Sequence, residues 1–344
     1  MRFGPVFLLL FFITIYFVAR RNSNHQIEVT SWPIFEQQYE PGSIRDTLPV
    51  QPSIVQLTVR PQTTPIASNP QSTATHPRPP TTWTVDFTTL TLELAVRSAK
   101  AGDIIVLAAG RFTLKERITV DKPLSIRGAG RQETHLLSWE ELFAIQFTGQ
   151  GPWTLENLTI EHVGNARASV VVVDSGHILI RNCRFTGATF QKETPSPRGG
   201  CGLWFTGTAR GLVINCTCDR NGSNGIEISG KAQMVLEGNT CESNNASGIL
   251  YYEHAGGAAR DNTCRNNGSG GIAVLGQAQP TLEGNTCEHN KESGIAYFDN
   301  AGGTARNNTC RYNEDYGIFV SKTARPVLGI NDLFGNKLGD VGRD

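Results

Sequence analysis

Between residues 202 and 336 the chain repeats itself every 23 residues. Gly-Ile pairs recur at Gly225-Ile226, Gly248-Ile249, Gly271-Ile272, Gly294-Ile295 and Gly317-Ile318, with Gly202-Leu203 one step earlier. The same step carries an alanine column (Ala209 to Ala324) and a cysteine column (Cys218, Cys241, Cys264, Cys287, Cys310). Two asparagine columns follow it, Asn239 to Asn331 and Asn221 to Asn336. A fixed period of this length means stacked units, none of which can bury its apolar face alone. Helical repeats need about 33 residues or more and an apolar period of 3.6. Here the apolar positions alternate instead, Ile249 and Tyr251 against Leu250 and Tyr252, Leu236 and Cys241 against Glu237 and Thr240. Gly and Asn, which tolerate positive φ, punctuate the short segments. The length suits a leucine-rich repeat, but its leucine signature is missing. The pattern predicts a closed coil of short strands, each residue stacked on its equivalent one rung away at ~4.8 Å.

Stacking assigns the columns physical roles. An asparagine side chain carries donors and an acceptor, so in-register amides satisfy one another and the turn backbone. The cysteines read as small buried hydrophobes. Disulfides are disfavoured, because in-register side chains point the same way and five is an odd number. Cys216-x-Cys218 is the sole close pair and no His recurs at ligand spacing, so no metal site is expected. No cofactor is expected either.

Upstream the columns loosen. Asn182-Cys183-Arg184-Phe185 matches Asn215-Cys216-Thr217-Cys218, and Asn157-Leu158-Thr159-Ile160 stands 25 residues earlier. The coil after Phe185 is too long, which predicts an outward loop from Gly187 to Gly200 containing Lys192 and Arg198. Leu92, Ala95, Val96 and Ala99 form an i, i+3, i+4, i+7 stripe. They predict a capping helix from Thr88 or Thr89 to Gly102, and an apolar strand, Ile104 to Ala108, follows.

The N-terminus differs in kind. Phe3 to Ala19 is almost wholly apolar between Arg2 and Arg20-Arg21. Its helical length of about 25 Å falls slightly short of the ~30 Å hydrocarbon core. A membrane anchor or signal segment is expected over residues 1–21. From Pro49 to Pro80 eight prolines lie among Thr, Ser and Gln, which predicts a disordered Pro/Thr/Ser-rich stalk over residues 22–84. Residues 85–344 are expected to form the folded domain. A stalk between anchor and domain points to an extracytoplasmic location, at the periplasm or cell surface. Secretion is expected if the segment is cleaved. The 31 basic and 31 acidic residues balance, so no strong field points to nucleic acid.

The run Ala101-Gly102-Asp103-Ile104-Ile105-Val106-Leu107-Ala108-Ala109-Gly110-Arg111-Phe112, followed by Pro123-Leu124-Ser125-Ile126-Arg127-Gly128, resembles the capping entry of the pectin-lyase-like superfamily. The G-N-T-C-x-x-N-x-x-S-G-I coils resemble its right-handed β-helix repeat branch, which includes carbohydrate-active enzymes, NosD-type proteins and F-box β-helix proteins. The resemblance covers residues 85 to 340 and implies an all-β, right-handed parallel β-helix. It does not fix an activity, since one fold hosts many functions.

Sugar lyases and hydrolases of this kind use clustered carboxylates with a basic residue. This chain alternates charge instead: Glu237, Arg260, Glu283, Arg306 in one column and Glu242, Arg265, Glu288, Arg311 in another. Opposite charges on neighbouring strands are what stability favours. The Gly-His-Gly triplet of polygalacturonases and the Asp-Pro-His-Asp signature of secreted alginate epimerases are both absent. Tyr251-Tyr252-Glu253-His254 sets a His beside tyrosines, but two coils on the same place reads Tyr297-Phe298-Asp299-Asn300.

The candidate binding residues are therefore the outward aromatics Trp204, Tyr252, Phe298 and Phe319, with His254 and Arg198. Aromatics on a flat parallel sheet offer stacking surfaces to sugar rings. The expected function is a membrane-tethered β-helix that binds a polysaccharide, a cell-envelope component or a partner protein without catalysis. The alternative is a polysaccharide lyase or C5-epimerase acting on an acidic polysaccharide, its site built from the 187–200 loop with Tyr252 and His254. Asn-x-Ser/Thr sequons such as those at Asn157, Asn215, Asn221, Asn245 and Asn267 mostly fall out of the repeat.

Overall fold

A computed structural model describes residues 18–21, 27–30, 78–86, 90–191 and 199–344. The chain divides into two units, residues 1–73 and 74–344. Within the first, Val18–Arg21 pairs antiparallel with Ile27–Thr30. Residues 1–17 of the expected anchor, and the expected stalk from 31 to 77, lie outside the described residues. No helix among the described residues is long and apolar enough to cross a membrane.

The second unit is a parallel β-solenoid. Each coil gives one strand in turn to three sheets, of 11, 10 and 10 strands. In the coil from residue 233, Gln233–Glu237 joins the first sheet, Thr240–Glu242 the second and Ile249–Tyr251 the third. Successive coils pair in parallel with the 23-residue register that the sequence predicts. Cys218, Cys241, Cys264, Cys287 and Cys310 are direct partners along the second sheet. Ile226, Ile249, Ile272, Ile295 and Ile318 are partners along the third. The first strand, Thr82–Val85, begins ahead of the expected boundary at Val85.

Alternation fills the interior. Ile249 and Tyr251 are fully buried while Leu250 between them is half-buried. All eight cysteines are buried free thiols. The glycine of each Gly-Ile pair has a packing cause. A Cβ on Gly248 would lie 2.8 Å from the Gly271 carbonyl oxygen and 2.9 Å from the Asn267 amide nitrogen, closer than real Cβ contacts come. Rungs at this corner leave no room for a side chain.

The asparagines form two continuous ladders. Asn239 Nδ2 donates to Asn262 Oδ1 at 2.9 Å, Asn262 to Asn285 and Asn285 to Asn308 likewise. The second ladder runs from Asn221 through Asn244, Asn267, Asn290 and Asn313 to Asn336. Every rung also gives a hydrogen bond to the turn backbone, for example Asn267 Nδ2 to the Cys241 carbonyl at 3.1 Å. Asn221 and Asn267 are thus buried in the ladders, which removes those two sequons from the surface.

The predicted helix spans Leu92–Ser98, with Thr91 as N-cap, a shorter element than the sequence suggested. The stripe Leu92, Ala95, Val96 and Ala99 is buried against the first strands. Thr91 Oγ1 accepts from the Leu94 N–H, so the cap sits two to three residues later than Thr88 or Thr89.

Candidate functional site

The three outer faces differ in charge. On the first two sheets the predicted pairing of opposite charges is present. Arg265 meets Glu242 at 2.7 Å, Arg311 meets Glu288 at 2.7 Å and Arg306 meets Glu283 at 3.0 Å. Arg184 grips Asp219 bidentately at 2.7 and 2.6 Å. On the first sheet Arg127 and Arg181 bracket the buried Glu156 from both sides.

The third sheet is built otherwise. Its first outward column reads Thr119, Gln146, Val172, Trp204, Glu227, Leu250, Ala273, Ala296, Phe319. The second follows the strand ends and reads Asp121, Thr148, Asp174, Thr206, Ser229, Tyr252, Leu275, Phe298, Ser321. Neither column contains a lysine or arginine.

Four of the sequence-predicted site residues lie in these columns, but the structure splits them into two groups. Trp204 stands five rungs from Phe319, ~24 Å away at the rung spacing. Glu227 separates it from the apolar positions beyond. Toward the C-terminus, Tyr252, Leu275, Phe298 and Phe319 form a shelf. The rings of Phe298 and Phe319 lie 5.4 Å apart, and Tyr316 stacks on Phe319 at 6.1 Å. Tyr252 is 39% exposed at the shelf's near edge. His254 is exposed on the turn beyond it. Arg198 lies outside the described residues.

Trp204 belongs to a concavity of about 320 Å³ walled by Leu142, Phe143, Val172 and Gly199, with Gln146, Arg167, Asp174 and Thr206 among its polar groups. Its indole N–H donates to Ser229 Oγ at 3.0 Å, which fixes the ring plane. Asp174 accepts from Gln146 Nε2 at 3.0 Å and from Ser175 Oγ at 2.7 Å. Beside the concavity the Cys201 thiol donates to Glu227 at 3.2 Å, and burial, then the Glu227 charge, pushes that thiol up. Leu142, at the rim, is held at φ 74°, a conformation that costs a non-glycine residue energy.

Sequence reading missed Phe143, Gln146, Arg167 and Asp174. Their coils are irregular, and Val172 pairs with Trp204 across 32 residues rather than 23. Only the register of neighbouring strands reveals that they share a face with Trp204. Among the described residues no cluster of three or more metal-ligating side chains occurs.

A parallel three-sheet solenoid with aromatics along one outer face defines the class. The signature described as "Right handed beta helix region" matches residues 143–254 and 201–342, and the chain belongs to that family. The fold is a right-handed parallel β-helix, as the sequence resemblance implies. An alginate lyase from Paenibacillus sp. str. FPU-7 is similar in structure, with a TM-score of 0.54 and 16% identity over 73% of this chain and 96% of that one. The pectate lyase Pel9A matches with a TM-score of 0.50 and 15% identity over 71% and 73%. ORF18 of Geobacillus virus E2 matches with a TM-score of 0.54 and 13% identity over 72% of this chain, which spans 55% of the viral one. At these identities the likeness is one of fold. No curated protein matches the sequence.

Proposed function

We propose that this protein is a carbohydrate-binding β-helix that holds a polysaccharide along the third sheet without transforming it. The observation that carries the reading is the alignment of Trp204, Tyr252, Phe298 and Phe319 on one outward face, in two columns that contain no lysine or arginine. Sugar rings offer an apolar C–H face to an aromatic and a polar rim to hydrogen-bonding groups. The shelf supplies the first, and Gln146, Asp174 and Thr206 supply the second. Residues 1–21 act as a membrane tether in this reading and the Pro/Thr-rich stretch as a stalk, with the solenoid outside the cytoplasm and the helix Leu92–Ser98 closing its N-terminal end.

The competing function is a lyase or C5-epimerase acting on an acidic polysaccharide near Tyr252 and His254. One experiment separates the two. The full chain in mild detergent is run through gels containing dissolved polysaccharides, neutral and acidic, and the same mixtures are followed by ultraviolet absorbance for unsaturated products and by proton NMR for epimerisation. Retardation without new absorbance or epimerised units supports binding alone. Product formation replaces it with the enzymatic reading, and absence of retardation and of product overturns both.

A further inference from the structure

We propose that the Trp204 concavity receives the acetamido group of an N-acetylated amino sugar, so that the polysaccharide held on this face carries N-acetylhexosamine units. The inference rests on the binding reading above and narrows it to a ligand class.

In the first outward column of the third sheet Val172 stands between Gln146 and Trp204, one rung to either side. Its side chain is shorter than theirs and only 6% exposed, so it forms an apolar floor between two taller neighbours. Leu142 and Phe143 stand in the same lining. The Phe143 N–H donates to the Glu141 carbonyl at 3.0 Å around Leu142 at φ 74°, a γ-turn of the rare, strained kind. Strain of this sort persists where the surrounding structure holds it, commonly at ligand clamps. Here it sets Leu142, 41% exposed, at the mouth of the recess. Arg117 lies over the Phe143 ring, 5.6 Å from its centroid, and holds that ring in the wall. The volume of about 320 Å³ is at the lower end of small-molecule sites and suits one sugar unit with its substituent.

An acetamido group carries a methyl, an N–H donor and a carbonyl acceptor, and the concavity has a counterpart for each. Val172 and Leu142 offer the methyl an apolar seat. Asp174 accepts one bond on each carboxylate oxygen, from Gln146 and from Ser175, and each oxygen keeps acceptor capacity for the N–H. A bond to an ionised acceptor is stronger than one between neutral groups. Gln146 Nε2 spends one hydrogen on Asp174 and has a second for the carbonyl, with the Thr206 hydroxyl in the same lining. The Trp204 plane, fixed by Ser229, takes the C–H face of the sugar ring. A hydroxyl in place of the acetamido group would leave the Val172 floor uncovered. One apolar group more or less in such a pocket changes affinity by roughly 10–200-fold.

The test titrates the full chain in mild detergent, by calorimetry, with the β-linked hexamer of N-acetylglucosamine and with cellohexaose, which differ in the acetamido substituent alone. Free N-acetylglucosamine and N-acetylgalactosamine are compared with glucose and galactose as competitors of the gel retardation, a comparison that does not depend on linkage. The acetylated hexamer should bind about tenfold tighter than cellohexaose or better, and the acetylated sugars should compete about tenfold better. Val172→Phe, which fills the floor, should abolish the preference. Val172→Thr keeps the shape, places a hydroxyl in the floor and should reduce the preference severalfold; it carries the test if the melting temperature shows that the larger substitution unfolds the chain. Retardation on a polysaccharide with no preference for acetylated sugars in either comparison overturns the acetamido subsite and leaves the binding face intact. A preference that survives substitution of Val172 in a folded chain overturns its assignment to this concavity. Absence of binding to both hexamers and of retardation on every polysaccharide overturns the binding reading itself, and this inference with it.

Discussion

Asn285 Oδ1 accepts two hydrogen bonds from Asn262, one from its side-chain amide at 2.9 Å and one from its backbone N–H at 3.1 Å. Asn285 Nδ2 in turn donates to the Ala259 carbonyl at 2.8 Å and to Asn308 Oδ1 at 2.9 Å. All of this is buried. Asn285→Ala leaves two donors of Asn262 and the Ala259 carbonyl without this partner, while Asn308 Oδ1 keeps the backbone N–H of residue 285, at about 1–3 kcal/mol for each group left unpaired. The expected loss is about 3–5 kcal/mol, read from the urea midpoint. A loss under 1 kcal/mol would show that the ladder does not hold the coils together.

The cysteine column makes a second prediction. Cys264 is fully buried between Cys241 and Cys287. Contacts with those two thiols, then burial, push its own thiol up, so it stays protonated. Cys264→Ala should cost about 1–3 kcal/mol through the small cavity it opens. Cys264→Asp should cost far more, since a charge would be buried without a partner. Thiol reagents should modify the native protein slowly at all five column positions, and rapid labelling would mean that the ladder does not face inward.

Asp103 predicts a pH dependence. Burial opposes its charge, but the N–H groups of Lys100 and Thr81, the Trp83 indole and Arg78 together hold its carboxyl well below the usual carboxylate range. A group depressed in the folded state adds stability that is fully present above its unfolded pKa of about 3.9 and is lost as pH falls toward the folded value. Between pH 5 and pH 2 the urea midpoint of wild type should therefore fall more steeply than that of Asp103→Asn, which starts lower at pH 5. Parallel curves would remove Asp103 from the account.

Removal of residues 1–21 should release the protein from membranes while keeping the solenoid folded. Fractionation at high salt together with circular dichroism checks this. A truncated chain that still pellets with membranes would contradict the single-tether proposal.

The regular coils were legible in the sequence because stacking forces each rung to repeat what its neighbour needs. Ladder asparagines, in-register cysteines and glycines pressed against the next rung all leave columns. The face opposite that requirement is less constrained. Trp204 could be seen to point outward, since Leu203 and Phe205 flank it, but its partners Phe143 and Asp174 come from coils of irregular length. The shelf was half visible: the column of Tyr252 and Phe298 is regular. That Glu227 divides it from Trp204 was legible as well, since Trp204, Glu227 and Leu250 keep the 23-residue step. Arg198, the remaining candidate, lies outside the described residues.

The measurement that bears most directly on the binding face is a double substitution on the shelf. Tyr252 and Phe298 share one outward column that already carries Ser229 and Ser321, so Tyr252→Ser with Phe298→Ser fits the local backbone. The doubly substituted chain should melt within a few degrees of wild type and lose retardation on the polysaccharide that wild type binds, at low and high salt alike. Unchanged retardation in a folded double variant would contradict the claim that the third sheet is the binding face.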